Sequence, residues 1–363
     1  MRALFKIFVL IAALAIVGLA VVGRLVWNRV HEPFRGFEQS EQILDIPQGT
    51  TTAEIANRLI VAGIVRDRVT FRVALRLSGR ARSLKAGEYL FQQPMTPLEV
   101  VEKLGRGDVY ARRITFPEGL TISELALIYE SHGFGRAREF EDAARDSSAV
   151  ADLDPRAADL EGYLFPETYA VPRATPASVL VSMMVERFRT TYSEDVHRRA
   201  TERGLTTRQV VTLASLVEKE TAKPDERPLV AAVYLNRLKR GMAMQADPTV
   251  VYALQKARKY DGNIRRADLT FDSPYNTYKY AGLPPGPIAA PGHASIEAVL
   301  APAAVPFLYF VSRNDGSHVF AESLRQHNAN VYEYQVRYFQ RPRPGARGRG
   351  KGEEATSVSP PGR

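Results

Sequence analysis

The stretch Val210-Val-Thr-Leu-Ala-Ser-Leu-Val-Glu-Lys-Glu-Thr221 decides how the rest of the chain is read. Its apolar spacing is helical. At about 100° per residue, Val210, Leu213, Ala214 and Val217 share one face, with Val211 and Leu216 on its shoulders. Thr206 or Thr207 is placed to cap the start, and Pro224 lies just beyond the end. Lys219 points the opposite way. Glu218 and Glu220 fall on the two borders, roughly 70–90° from the apolar centre. A border carboxylate half-buried at a cleft wall is destabilised, so it stays a proton donor near neutral pH. Both can equally be ordinary boundary residues of a core-facing helix. The spacing alone leaves open whether either Glu acts, and which.

The residues around this helix narrow the chemistry. Six histidines, at 31, 132, 197, 293, 318 and 327, show no metal-ligand spacing, and the chain has no cysteine. Thiolate metal sites, thiol nucleophiles and disulfides are therefore excluded, and a metal site is not expected. No Gly-x-Ser-x-Gly elbow or phosphate loop occurs. What remains is Glu218 and Glu220 beside loops rich in Tyr, Asn, Gln and Asp. Aromatic faces stack on sugar rings and amides bond hydroxyls, so this composition suits carbohydrate, although such loops also occur as plain structure.

Upstream lies an internal repeat. Ile46-Pro-Gln-Gly-Thr-Thr-Thr-Ala-Glu-Ile-Ala56 matches Phe116-Pro-Glu-Gly-Leu-Thr-Ile-Ser-Glu-Leu-Ala126 at an offset of 70. Each copy reads as a short strand, a Pro-x-Gly turn and a helix opened by a capping box, Thr51-x-x-Glu54 or Thr121-x-x-Glu124. Gly63 and Gly133 are candidate C-caps. The unit resembles half of a LysM-type module, a glycan-binding fold, at the level of pattern; a spacer that binds nothing has the same pattern. Further helices are expected over 67–78, from Pro97, over 176–192, 193–203, 225–240 and 323–339, with a strand at 86–91. Asp247 reads as an N-cap with Pro248 at the first helical position. Leu160-Glu-Gly-Tyr-Leu-Phe-Pro-Glu-Thr-Tyr169 is either a packed corner or a cleft wall. Arg313-Asn-Asp-Gly316 reads as the turn of a hairpin.

At the N-terminus, Ile7 to Gly23 carries no charge, and apolar residues resume as Leu25-Val-Trp27. About 20 such residues span a bilayer. Arg2 and Lys6 favour a cytoplasmic N-terminus, while Arg24 and Arg29 count against that orientation. Gly18-Leu-Ala20 resembles a signal-peptidase site, but the apolar run continues past it, so an uncleaved anchor is expected. The net charge is +9, of which the final 23 residues supply +4. This Pro/Gly/Arg-rich tail, 341–363, is expected to be disordered. No nucleic-acid motif accompanies the basic balance, so nucleic acid is not expected as a partner.

Seven segments occur in order: Leu160–Tyr169, Leu213–Thr221, Val233-Tyr-Leu-Asn-Arg-Leu238, Gln245-Ala-Asp-Pro-Thr249, Ser273-Pro-Tyr-Asn-Thr-Tyr278, Gly282-Leu-Pro-Pro-Gly-Pro-Ile288 and Leu308-Tyr-Phe-Val311. Together they resemble the MltG/YceG-like family of endolytic murein transglycosylases over residues 1–340. The resemblance implies an α+β protein with a single N-terminal transmembrane helix, a small LysM-like module and a mainly helical, lysozyme-like catalytic domain with a small β-hairpin. The expected parts are 1–6 in the cytoplasm, an anchor at 7–27, a linker at 28–40, the LysM-like module at 41–108 and the catalytic region at 109–340. Within that region, 109–159 carries the second repeat half.

The implied enzyme sits in the inner membrane by a single pass with its body in the periplasm. It cuts the MurNAc–GlcNAc β-1,4 bond within nascent glycan strands, leaves 1,6-anhydro-MurNAc ends and ends strand elongation. Glycan strands, the inner membrane and peptidoglycan synthases are the implied partners, and no metal or organic cofactor is implied. One carboxyl group suffices: it protonates the glycosidic oxygen, then takes the proton of the sugar's own 6-hydroxyl as that captures C1. In lysozyme-like helices the catalytic Glu often ends the helix before a small hydroxyl residue. Glu220-Thr221 fits this and Glu218-Lys219 does not, so the resemblance points to Glu220, with Glu218 beside it pairing Arg237 or Arg227. Tyr275, Asn276 and Tyr278 become candidate saccharide contacts, with Gln245 lining the cleft and Asp247 either an N-cap or a second carboxylate. A muramidase and a non-enzymatic glycan-binding scaffold are the competing expectations.

Overall fold

A computed structural model describes residues 2–80 and 83–340. Helices dominate, and three separate two-stranded antiparallel sheets occur among the described residues. The chain divides into two compact units. One holds the residues up to Pro117, with Ile122–Asp146 and Pro166–Glu186; the other holds Glu118–Thr121, Ser147–Phe165 and the chain from Arg187 onward. The basic tail expected at 341–363 lies outside the described residues.

The first unit begins with α1 (Arg2–His31). Its segment Leu10–His31, of mean hydropathy 2.3, is long and apolar enough to cross a membrane. The last turn of α1 packs into this unit, since Val30 is fully buried in its core. Both repeat copies fold as strand, turn and helix: β1 (Gln42–Ile46) into α2 (Thr52–Val61), with α3 (Arg68–Leu77), β2 (Gly87–Phe91) and α4 (Pro97–Arg106) following; then β3 (Ala111–Thr115) into α5 (Ile122–Ser131), with α6 (Ala137–Ala144) and β4 (Thr168–Pro172) following. The Pro-x-Gly turns need a left-handed residue, and Gly49 and Gly119 supply it at φ 80° and 78°. The capping box expected at Thr51 is half formed. Thr51 accepts the Glu54 N–H, but the Glu54 carboxylate turns to Arg58. A full box stands at Thr96 and Glu99. The pairing is non-local: β1 runs against β2 (Gln42 opposite Phe91), and β3 against β4 (Ala111 opposite Pro172). Glu88 on β2 accepts both Arg112 guanidinium nitrogens at 3.0 and 3.2 Å, which ties the two sheets together.

In the second unit, α7 (Ala177–Thr191), which starts in the first, leads to α8 (Glu194–Glu202), α9 (Thr207–Glu220), α10 (Arg227–Lys239), α11 (Asp247–Lys256) and α12 (His293–Leu300). The hairpin β5 (Tyr309–Ser312) and β6 (His318–Ala321) and then α13 (Leu324–Val331) complete it; a π-helical turn, Tyr332–Arg337, follows. The helix α9 is the deciding stretch. Thr206 caps it in a full box with Gln209. Its burial corrects the one-sided expectation: every residue from Val210 to Val217 is buried, because α8, α10, α11 and α12 surround it. The small polar residues Thr212 and Ser215 make this wrapping feasible. Ser215 Oγ donates to the Thr212 carbonyl and accepts the Ile288 N–H at 3.1 Å, fastening the proline-rich loop to the helix. The aromatic stretch from Leu160 is a packed corner. Tyr163 donates to the buried Asp154 at 2.6 Å and meets Phe188 edge-on, and Arg208 closes on Asp154 at 3.0 Å.

Candidate active site

The helix α9 ends at Glu220, because Thr221 turns to extended backbone. The side chain therefore leaves the last turn of a buried helix and emerges in a cavity of about 490 Å³. Ligand clefts occupy this size range. Its wall carries Arg237, Gln245, Asp247, Tyr278 and His318. Tyr234 on α10 donates its hydroxyl to Glu220 Oε1 at 2.7 Å. No hydrogen bond to a described residue engages Oε2, and that atom is not sealed off. Burial raises the Glu220 pKa to about 7, with Tyr234 opposing, Asp247 adding to the rise, and His318 and Arg237 pulling it down. A carboxyl that holds its proton near neutrality, with one oxygen fixed and the other open, is built to give a proton to a bound group.

Arg237 is held by backbone: its guanidinium donates to the carbonyls of Leu308 (2.6 Å), Met244 (2.6 Å) and Ala243 (3.2 Å). It places a fixed positive charge on the wall without a carboxylate partner of its own among these bonds. Gln245 sits at φ 51°, an uncommon conformation for a side-chain-bearing residue, and its N–H bonds the Thr277 carbonyl at 3.2 Å. Asp247 does not cap α11. It is that helix's first residue, and its carboxylate accepts the Tyr278 hydroxyl at 2.5 Å.

Glu218 goes elsewhere. Its carboxylate accepts the Gly292 N–H at 2.9 Å and meets Arg227 at 3.3 Å, away from the Glu220 cavity. Of the two arginines considered as its partner, Arg227 is the one it meets. Glu118 crowds the same spot, and burial and Glu218 raise its pKa. Tyr275 and Asn276 do not line the Glu220 cavity either. Tyr275 packs on Tyr252, with ring centroids 4.8 Å apart. Asn276 is buried; its amide donates to the carbonyls of Leu269 and Phe271 and accepts the Tyr278 N–H. It shapes the loop that presents Tyr278. Sequence reasoning missed Tyr234, His318 and Glu226. Tyr234 and Arg237 stand three apart within Val233–Leu238, a spacing that puts both on one helix face. His318 carried no signal, because only tertiary structure brings the hairpin to the helix end.

The raised Glu220 pKa has a kinetic consequence. With Glu220 as the proton donor, kcat/KM is expected to fall as pH rises through about 7. A rate profile still flat well above neutrality would assign the acid step to another group.

Three comparisons relate the chain to known proteins. The profile of the YceG-like family matches residues 44–333. A protein of Bacillus subtilis (strain 168) named endolytic murein transglycosylase is 31% identical over 320 residues, covering 84% of this chain and 87% of that protein. One of the same name from Streptococcus pneumoniae serotype 2 (strain D39 / NCTC 7466) is 30% identical over 322 residues, 80% of this chain and 57% of its own longer length. The crystal structure of a yceG-like protein from Listeria monocytogenes superposes with a TM-score of 0.55 at 28% identity, covering 80% of this chain and 98% of that one.

Proposed function

The chain belongs to the YceG-like family, and from that premise we propose that it is a peptidoglycan lytic transglycosylase that cuts the MurNAc–GlcNAc β-1,4 bond inside glycan strands. The observation that carries the reading is the Glu220 carboxyl, its pKa raised by burial to about 7, with Oε2 open in a polar cavity. Glu220 gives its proton to the glycosidic oxygen. The oxocarbenium at C1 is captured by the sugar's own 6-hydroxyl, whose proton passes to a base, and a 1,6-anhydro-MurNAc end results. Water is not a reactant, so the second carboxylate of a hydrolase has no part. Gln245, Asp247 and Tyr278 contact the saccharide from the wall. Glu218 and Asn276 support, the one by tying α9 to the start of α12, the other by shaping the Tyr278 loop; Tyr275 packs beside that loop.

In this reading α9 serves as a lysozyme-like catalytic helix within 109–340. The module at 41–108 and the second repeat half at 109–159 serve as LysM-like glycan holders, supported by their shared strand-turn-helix form. Residues 7–27 anchor the protein in the inner membrane, and Arg2 and Lys6 favour a cytoplasmic N-terminus with the body in the periplasm. Next to synthases making new strands, the cut ends elongation.

Asp247 in the same cavity favours one second reading, a muramidase in which it activates water. Products separate the two. Purified peptidoglycan digested with the full-length protein is expected to release fragments one water lighter than hydrolysis products, with no reducing ends, by mass spectrometry. Reducing ends that depend on Glu220 would establish the muramidase instead.

A further inference from the structure

The capture step needs a proton acceptor, and the cavity holds one that this reading has not used. His318, on β6, is gripped by Glu226. Its Nδ1 lies 2.7 Å from Glu226 Oε2, and its backbone N–H donates to Oε1 at 2.9 Å. Thr221, directly after Glu220, donates its hydroxyl to the same Oε2 at 3.3 Å. Glu226 therefore joins the end of α9 to the hairpin. Burial pushes the Glu226 carboxyl up, but the bonds from His318 and Thr221 outweigh it and hold it below its usual range, so it is ionised. An ionised partner at Nδ1 keeps the proton of neutral His318 on that nitrogen and leaves Nε2 as an acceptor. No described residue bonds Nε2, the atom is not sealed off, and the ring lines the Glu220 cavity.

The acid's own geometry makes a second acceptor useful. A carboxyl that gives a proton and takes another in one concerted step needs both oxygens. The Tyr234 hydroxyl already donates to Glu220 Oε1 and lowers that oxygen's basicity, so Oε2 is the less engaged of the two. The other open base on the wall is Asp247, one oxygen of which is held by Tyr278. Imidazole is the side chain most often used as a general base, and Glu226, 2.7 Å from Nδ1, stands ready to balance the charge an imidazolium would bring.

We propose that His318, held by Glu226, is the base that takes the 6-hydroxyl proton during anhydro-ring closure. This rests on the transglycosylase reading and takes over the second task that the family resemblance gave to Glu220. The C1–O4 bond breaks, and its electron pair leaves with O4, which takes the proton from Glu220. A lone pair of O6 forms the bond to C1, and the O6 proton moves to His318 Nε2. The products are a 1,6-anhydro-MurNAc end and a free GlcNAc 4-hydroxyl. Glu220 is left as carboxylate and His318 as imidazolium, and one proton transfer between them, direct or through a water, resets the site.

The test uses full-length protein on uncrosslinked glycan strands, with His318→Ala, Glu226→Gln, Asp247→Asn and Glu220→Gln compared with wild type. His318→Ala is expected to melt like wild type and to lose about 100-fold in kcat with little change in KM. Imidazole in the buffer should restore part of the lost rate to His318→Ala and none to Glu220→Gln. Glu226→Gln should lower kcat by about tenfold at unchanged KM, since it removes the charge that supports the base. The base assignment fails if folded His318→Ala keeps kcat within about threefold of wild type, if imidazole leaves its deficit untouched, or if Asp247→Asn shows the larger kcat loss. Wild-type products with reducing ends would instead overturn the transglycosylase reading, whatever His318 does.

Discussion

Replacing Glu220 by Gln is expected to lower kcat by about 1,000-fold or more while making the protein more stable at alkaline pH. In the proposed reaction the rate loss follows from removing the proton that the glycosidic oxygen receives; positioned acids contribute about 10²–10⁴-fold. The stability gain follows from linkage. The Glu220 pKa stands near 7 in the folded protein against an ordinary 4.5. The folded state therefore binds the proton more tightly than the unfolded chain does. Below about pH 4.5 both states hold it, and no cost arises. Between there and about pH 7 the unfolded chain ionises first, and folding loses stability as pH rises, reaching about 2–3 kcal/mol above neutrality. Gln keeps an oxygen for the Tyr234 hydroxyl and carries no charge, so the variant escapes that penalty. Urea unfolding of both proteins at about pH 5 and pH 8 should show a stability gap that widens with pH. An equal gap at both would mean that Glu220 titrates normally and is not held as an acid.

Gly162→Ala should cost more stability than any surface change, on the order of 3 kcal/mol, and lower the Tm of the second unit by on the order of 10 °C. Gly162 has φ 81°, where a Cβ is strained. A Cβ there would also stand 2.4 Å from the Pro287 ring and 3.0 Å from Val211. Pro287 is buried and its ring cannot swing aside, and Val211 lies on α9, so the backbone has to move. The displacement would pass to Ile288, whose N–H is fastened to Ser215 of the same helix. Thermal melting followed by far-UV circular dichroism measures the loss. A midpoint within about 2 °C of wild type would show that the corner relaxes without strain.

Local rules carried much of the reading. The repeat, the turns at Gly49 and Gly119, the helix starts at Pro97 and at Thr206 or Thr207, and the hairpin at Arg313–Gly316 were all legible, because each depends on residues a few positions apart. So was the apolar N-terminal helix. The depth of α9 was not: Val210, Leu213, Ala214 and Val217 describe a one-sided stripe, and nothing local tells that Thr212 and Ser215 will also be covered. Tyr275 and Asn276 had the right chemistry for sugar, but their partners, Tyr252 and the carbonyls of Leu269 and Phe271, appear only when the loop folds.

The deciding stretch shows the division most clearly. By itself the sequence determined a helix with two carboxylates near its end, and its resemblance to a family singled out Glu220. Helical geometry left Glu218 and Glu220 nearly equivalent, since they differ only in which border they occupy. Tertiary structure separated them. Glu218 is paired with Arg227 and the Gly292 N–H, whereas Glu220 accepts the Tyr234 hydroxyl and shares with Asp247 a cavity in which burial raises its pKa to about 7. A carboxyl's protonation depends on burial and on charges within a few ångströms, and residues distant in sequence supply both.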